Sequence, residues 1–248
     1  MKKKPETIEN RWDILYKDYP GVYDEFAKTE KDGNDIKAIN KISDLKGKVV
    51  VDIGSGTGLS TFQLAEYAKF VYGIEPENAM RKLAVRKAKE KNIKNVKFLK
   101  GRAEKIPLRA NSVDGAVAIT SIGSNHSDLS SIQKVVELVI KEVSRVVKKG
   151  GYFIILNIAP YWYGGELAPI ILGKGRKTEE DIEGKIDKVL RTKFDFKYKD
   201  VYVLAKFGSL KKALETYGFI FGKKAIEYLK KHNKTTVKWK FRIHYRKI

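Results

Sequence analysis

One stretch constrains this chain more than any other: VVVDIGSGTG, from Val49 to Gly58. A short, nearly unbroken apolar run suits a strand buried on both faces, the environment of a parallel sheet. Glycines spaced two apart at a strand-to-helix junction let the backbone turn tightly and approach a ligand with no side chain in the way. The dinucleotide-binding pattern G-x-G-x-x-G would need glycine at position 59, where this chain has Leu59. A phosphate-binding P-loop needs Lys-Ser or Lys-Thr after the glycines, and the sequence instead continues Leu59-Ser60-Thr61. Both common nucleotide loops are therefore disfavoured, and a ligand-facing loop of another kind is left.

The strand, loop and helix rhythm continues downstream. A helix is predicted from Leu59 to Ala68, and strands at Phe70 to Ile74, Val96 to Leu99, Val113 to Thr120 and Tyr152 to Ile158. Asn78 is the expected N-cap of a helix reaching Lys91. Ser130 and Gln133 have the spacing of a capping box, and Lys148-Lys149-Gly150-Gly151 is expected to end the helix they open. Strands alternating with helices in this way predict a parallel sheet covered on both faces.

Upstream, Trp12, Leu15, Tyr16, Val22, Tyr23 and Phe26 recur at helical spacing around Pro20-Gly21, which reads as a cap of two short helices. Downstream of Ala159, the aromatic, glycine and proline-rich stretch APYWYGGELAPIILGKGRKTEED reads as a long active-site loop or lid. Helices at Glu179 to Arg191, Leu210 to Tyr217 and Lys224 to His232 and strands at Phe194 to Phe207 and Thr236 to Tyr245 complete the chain. In the last strand Val237, Trp239, Phe241, Ile243 and Tyr245 alternate with Lys238, Lys240, Arg242, His244 and Arg246, so one face is expected in the core and the other in water.

Composition narrows the chemistry. The 248 residues are 42% hydrophobic, enough for a real core. The absence of cysteine excludes disulfides, thiolate metal sites and cysteine nucleophiles, and no other metal site is read. No run of about 18 apolar residues occurs, so a cytoplasmic protein without a membrane span is expected. Lys and Glu enrichment with two Met and two Gln leans toward a heat-adapted source. The formal charge is +21, and residues 185–248 hold nineteen Lys/Arg against five Asp/Glu. Such an excess is the footprint of a polyanionic partner or of a solvated lysine-rich face. Only ten of the 51 cations are Arg, the side chain suited to bidentate phosphate recognition, which favours the solvated face.

The glycine loop, with Asp52 on its strand and Glu75 ending the next, resembles that of class I S-adenosylmethionine-dependent methyltransferases. GIEPENAM (Gly73 to Met80), GRAEKIP (Gly101 to Pro107), NSVDGAVAIT (Asn111 to Thr120) and RVVKKGGYFII (Arg145 to Ile155) resemble successive segments of the same family, in order. The likeness covers Lys48 to Leu156 and is closest to the small-molecule branch that includes ubiquinone- and menaquinone-pathway enzymes. It implies an α/β, Rossmann-like, seven-stranded and mostly parallel sheet with helices on both faces, an N-terminal helical cap and an antiparallel C-terminal strand. The implied layout is a cap over residues 1–45, a cofactor-binding core over 46–160, and a lid with the last strands over 161–248 of the same domain.

The resemblance also implies roles. Gly54, Ser55, Gly56, Thr57 and Gly58 would cradle S-adenosylmethionine, Asp52 would face its methionine end and Glu75 its ribose hydroxyls. Arg102, Ala103 and Glu104 would lie beside the adenine, Pro76 and Met80 on its faces, and Thr120 and Ser121 at the end of the fourth strand. Tyr16 and Tyr23 would close the site from the N-terminal helices, and Tyr161, Trp162, Tyr163 and Glu166 are candidates for the acceptor wall. His126 is the candidate general base, although the branch commonly places histidine directly after the fourth strand, where Ser121 to Asn125 stand here. Lys149 also replaces a usual proline.

The acceptor stays open at this level. The Asn/Asp-Pro-Pro-aromatic tetrad of base amine methylation is missing after the fourth strand, and carbon-5 pyrimidine methylation needs a cysteine. A small-molecule acceptor is the leading expectation, ahead of an RNA- or protein-modifying enzyme that docks a large anion on its basic C-terminal region. A non-catalytic binding module comes last, and the oligomeric state is open.

Overall fold

The computed structural model describes residues 5–30, 34–122, 129–173 and 181–248. Three helices open the chain: α1 (Trp12–Asp18), α2 (Pro20–Glu30) and α3 (Asn34–Ser43). The repeating part follows as β1 (Val49–Ile53), α4 (Leu59–Ala65), β2 (Phe70–Ile74), α5 (Asn78–Glu90), β3 (Val96–Leu99), β4 (Val113–Ile119), α6 (Leu129–Val146) and β5 (Val147–Ile158). Beyond it lie α7 (Ala168–Ile171), α8 (Ile182–Phe194), β6 (Lys197–Lys206), α9 (Leu210–Ala213), α10 (Phe219–Phe221), α11 (Lys223–Lys231) and β7 (Thr236–Lys247). A π-helical turn, Leu214–Gly218, joins α9 to α10. Among the described residues no helix is long and apolar enough to cross a membrane.

The strands form a seven-stranded sheet in the order β3-β2-β1-β4-β5-β7-β6. The pairs from β3 through β5 are all parallel, whereas β7 runs antiparallel to both β5 and β6. This is the α/β architecture expected from the sequence. The chain winds outward one way from β1 to β3 and the other way from β4. That reversal opens a crevice at the carboxyl ends of β1 and β4, where sheets of this kind take ligands.

Alternation along the strands divides the apolar side chains between two cores. Val50, Val117, Ile154, Leu156 and Trp239 share one face with Leu15, Phe26, Ile36 and Ile39 of the N-terminal helices and with Tyr217 and Phe221. Val51, Ile53, Ala116, Phe153 and Ile155 share the other with Ile132, Val136 and Val143 of α6 and Ile186, Val189 and Leu190 of α8. The N-terminal helices are integral to the first core. Phe26 meets Phe221 and Trp239 edge-on at 5.9 and 6.2 Å, and the Ile8 N–H donates to the Phe219 carbonyl at 2.9 Å.

Ser130 is the second residue of α6 and not its cap, and three further local expectations are corrected. α6 ends at Val146, and Lys148-Lys149-Gly150-Gly151 lies inside β5, where the register with β4 shifts between Val113 and Gly115. The glycines serve that bulge, and Lys148 Nζ reaches Asp114 across it at 2.7 Å. Asn78 is the first residue of α5 and not its cap. The N-cap is Glu77, whose N–H is taken by the Glu75 carboxylate at 2.8 Å, while Asn78 Oδ1 accepts from Arg81.

The third correction concerns the basic face of β7, which α8 largely covers. His244 is 2% exposed, with Nε2 2.9 Å from Asp187 Oδ1. The Arg242 guanidinium donates to Asp187 Oδ1 at 2.9 Å and to both oxygens of Asp200 at 2.7 and 3.0 Å. Lys240 also pairs with Asp200, at 2.8 Å, and Lys238 at the end of the row is exposed. Strand alternation reveals which residues share a face, but the covering helix and its buried carboxylate come from elsewhere in the chain.

Candidate active site

A cavity of about 570 Å³ opens at the carboxyl ends of β1, β2 and β4. Its floor is the glycine loop. Gly54 has a φ of +74° and is packed so closely by the Ser121 side chain that a β-carbon would overlap it. Gly56, with a φ of +53°, faces Met80 and Tyr23, whose nearest atoms would lie 3.4 and 3.5 Å from a β-carbon. The loop thus presents bare main chain to the cavity, as three spaced glycines predict.

Glu75, 7% exposed at the end of β2, organises this floor. Its Oε2 accepts the Gly56 N–H at 2.9 Å and its Oε1 the Glu77 N–H at 2.8 Å. Each oxygen keeps a further lone-pair position, because a carboxylate offers about four acceptor sites. Burial raises the carboxyl above its ordinary range, against the two N–H bonds that favour the ionised form. Arg81 donates to the Glu75 and Pro76 carbonyls and so fixes the turn that aims the side chain.

Around the floor the cavity gathers most of the residues expected from the sequence: Pro76 and Met80; Arg102, Ala103 and Glu104; Thr120 and Ser121; and Tyr16 and Tyr23. Thr120 has a φ of +50°, and the Ser121 hydroxyl donates to the Ile53 carbonyl at 2.6 Å, so β4 ends in a constrained turn against β1. Tyr16 and Tyr23 meet edge-to-face at 5.3 Å, and Trp12 joins them at 5.8 Å from Tyr16.

Other expected residues are placed elsewhere. Asp52 is fully buried beneath the loop, where its Oδ2 accepts from Thr61 of α4 at 2.6 Å, and it does not line the cavity. Ser55, Thr57 and Gly58 are buried behind the lining, and the Thr57 hydroxyl donates to Asp24 of α2 at 2.7 Å. His126 lies outside the described residues. The aromatic wall expected after β5 is absent from the lining. The Tyr163 hydroxyl accepts from Trp12 Nε1 at 2.6 Å, Trp162 stands edge-on to Tyr202, and Glu166 accepts from the Lys238 N–H and pairs with Lys234. The described residues of that segment, 159–173, pack against β7 and α11 and buttress the wall from behind.

Trp12, read from the sequence only as part of the cap, lines the cavity too, as do Asp13 and Lys17 of α1 and Val135 and Val139 of α6, which the sequence does not single out. Their i, i+4 spacing was the available signal, but that spacing equally describes an ordinary helix face.

Residues 51–155 match the family model described as a methyltransferase domain. The chain is 28% identical over 131 residues to the uncharacterized methyltransferase YcgJ of Bacillus subtilis, an alignment covering 52% of this chain and 49% of the relative. It is 27% identical over 159 residues to demethylmenaquinone methyltransferase of Lactococcus lactis, covering 63% and 60%. The chain therefore spans about half to three fifths of the length of these curated relatives. The crystal structure of a SAM-dependent methyltransferase from Aquifex aeolicus shares the fold, with a TM-score of 0.54 and 19% identity over 96% of this chain and 95% of that one. Strand order, glycine loop and family match define a class I methyltransferase fold. Over residues 51–155 the chain is similar to methyltransferase domains, and its fold is the one seen in that solved S-adenosylmethionine-dependent methyltransferase.

Proposed function

We propose that this chain binds S-adenosylmethionine in the cavity and transfers its methyl group to a small-molecule acceptor. The observation that carries the reading is the Glu75 carboxylate, set at the cavity floor and tied to the glycine loop through the Gly56 N–H. Gly54 and Gly56 present main chain to the cavity where the donor would lie, and the free acceptor positions of Glu75 suit a pair of ribose hydroxyls. Met80, Ala103 and Ile122 offer apolar contact to a purine, with Glu104 beside them to accept from its amino group.

When bound, the donor supplies an electrophilic methyl group that leaves its electron pair on sulfur as an acceptor lone pair displaces it. The protein's part is to hold the two partners in line and to exclude water. Trp12, Tyr16 and Tyr23 form the apolar wall suited to that exclusion. Among the described residues the carboxylates of Asp13, Glu75, Glu77 and Glu104 line the cavity, and a proton carried by the acceptor leaves to one of these, to the candidate base His126 or to solvent.

A small acceptor is supported by the size of the cavity, about 570 Å³, and by the relative named for demethylmenaquinone, itself a small molecule. The pairing of Arg242 and Lys240 with Asp187 and Asp200 removes two cations from the set that suggested a polyanionic partner. Incubation with methyl-labelled donor and fractionated cell extract tests the reading. Label is expected in a low-molecular-weight fraction, and label confined to RNA or protein would overturn the acceptor class.

A further inference from the structure

A buried ion pair outside the cavity joins its floor to its wall. Asp24 of α2 is 6% exposed and Lys87 of α5 is 7% exposed. Lys87 Nζ lies 2.5 Å from Asp24 Oδ1 and also donates to the Thr57 carbonyl at 3.0 Å. The Thr57 hydroxyl donates to the same Asp24 oxygen at 2.7 Å, and Lys28 reaches the other at 3.0 Å. One carboxylate therefore holds three segments together: helix α2, helix α5 and the glycine loop.

The neighbours of these residues are the parts of the cavity that matter. Tyr23, next to Asp24, and Met80, two turns before Lys87, both pack beside Gly56. The loop is thus gripped at two successive residues by two carboxylates, Gly56 by Glu75 and Thr57 by Asp24. Removing two charges from water costs several kcal/mol per ion, so an apolar pair of similar volume would serve stability as well. What the ion pair adds is a defined geometry between the N-terminal helices and the loop.

We propose that Asp24 and Lys87 are positioning residues that latch the aromatic wall to the glycine loop, so that donor binding and ordering of the N-terminal helices form one coupled event. This inference rests on the donor-binding reading above. Neither residue touches the cavity, and both act through Thr57, Tyr23 and Met80.

The test compares the wild-type chain with Asp24→Asn and with the double variant Asp24→Asn/Lys87→Met, which leaves no buried orphan charge. Three quantities are read: the thermal midpoint, amide hydrogen exchange of residues 12–28 without ligand, and S-adenosylmethionine affinity by calorimetry. Asp24→Asn is expected to lower the midpoint, speed exchange and weaken donor binding about tenfold or more. The double variant is expected to recover the midpoint while keeping fast exchange and weak binding. Recovery of wild-type exchange and affinity in the double variant would reduce the pair to a structural contact and overturn the latch. If the wild-type chain binds no donor, the proposed function fails, and unchanged exchange in the variants then overturns the latch on its own.

Discussion

Ser121 fills the space beside Gly54 that any side chain at that position would need, and its hydroxyl donates to the Ile53 carbonyl one residue earlier. The end of β4 is in this way moulded onto the turn that leaves β1. Gly54→Ala should therefore lower stability by about 2 to 4 kcal/mol, combining positive-φ strain with overpacking. Urea unfolding measures the loss. Adding Ser121→Gly should recover the overpacking part and leave the strain, whereas no recovery would mean that the clash is not with Ser121.

Glu75 is expected to carry the affinity for the ribose. Glu75→Ala should weaken S-adenosylmethionine binding by about 1.5 to 3 kcal/mol, the range for hydrogen bonds to a charged group. The pH dependence follows from the raised carboxyl. Only the ionised form offers every acceptor position, so affinity should fall on acidification at a higher pH than an ordinary glutamate would dictate. Calorimetry from about pH 8 down to about pH 5 should show this fall in the wild type and not in the variant. A flat wild-type profile would remove Glu75 from the ribose.

Stability toward acid should depend on the cluster beneath α8. Burial alone would raise the Asp187 carboxyl, but His244 and Arg242 outweigh it and hold it at about 2. Ionised Asp187 thus contributes about 2 kcal/mol above the unfolded carboxyl range, lost as the pH falls through about 2. His244 is lowered chiefly by burial, so the unfolded chain takes up that proton first and stability begins to fall below about pH 6.5. Urea midpoints against pH should decline in these two stages, with the lower one abolished in Asp187→Asn. Arg242→Gln removes one cation from Asp187, which keeps Arg191 at 3.0 Å and His244 at 2.9 Å, and should cost about 1.5 to 3 kcal/mol. Lys238→Gln on the exposed end of the same strand should stay within about 0.5 kcal/mol. Equal effects of the two substitutions would contradict the buried network.

The sheet was legible because its signals are local. Phe70 to Ile74 and Val96 to Leu99 are short apolar runs bounded by turns, and both strands are observed with those limits. The loop glycines and Glu75 were legible for the same reason. Asp24 was not, since its partner Lys87 stands 63 residues away and an acid on a short helix has no signature of its own. Tyr161, Trp162 and Tyr163 show the converse. An aromatic cluster after β5 looks the same whether it lines a cavity or braces Trp12, and only tertiary packing decides. The charged row of β7 misled because strand period says which side chains face together and nothing about what covers them.

The most direct test of the account is calorimetric titration of the wild-type chain with S-adenosylmethionine and with its demethylated product, alongside thermal unfolding with each. Both ligands should bind at one site per chain and raise the thermal midpoint, and Glu75→Ala should weaken both. Neither heat nor a thermal shift with either ligand, from a chain shown to be folded, would contradict the assignment of this cavity as a methyl-donor site.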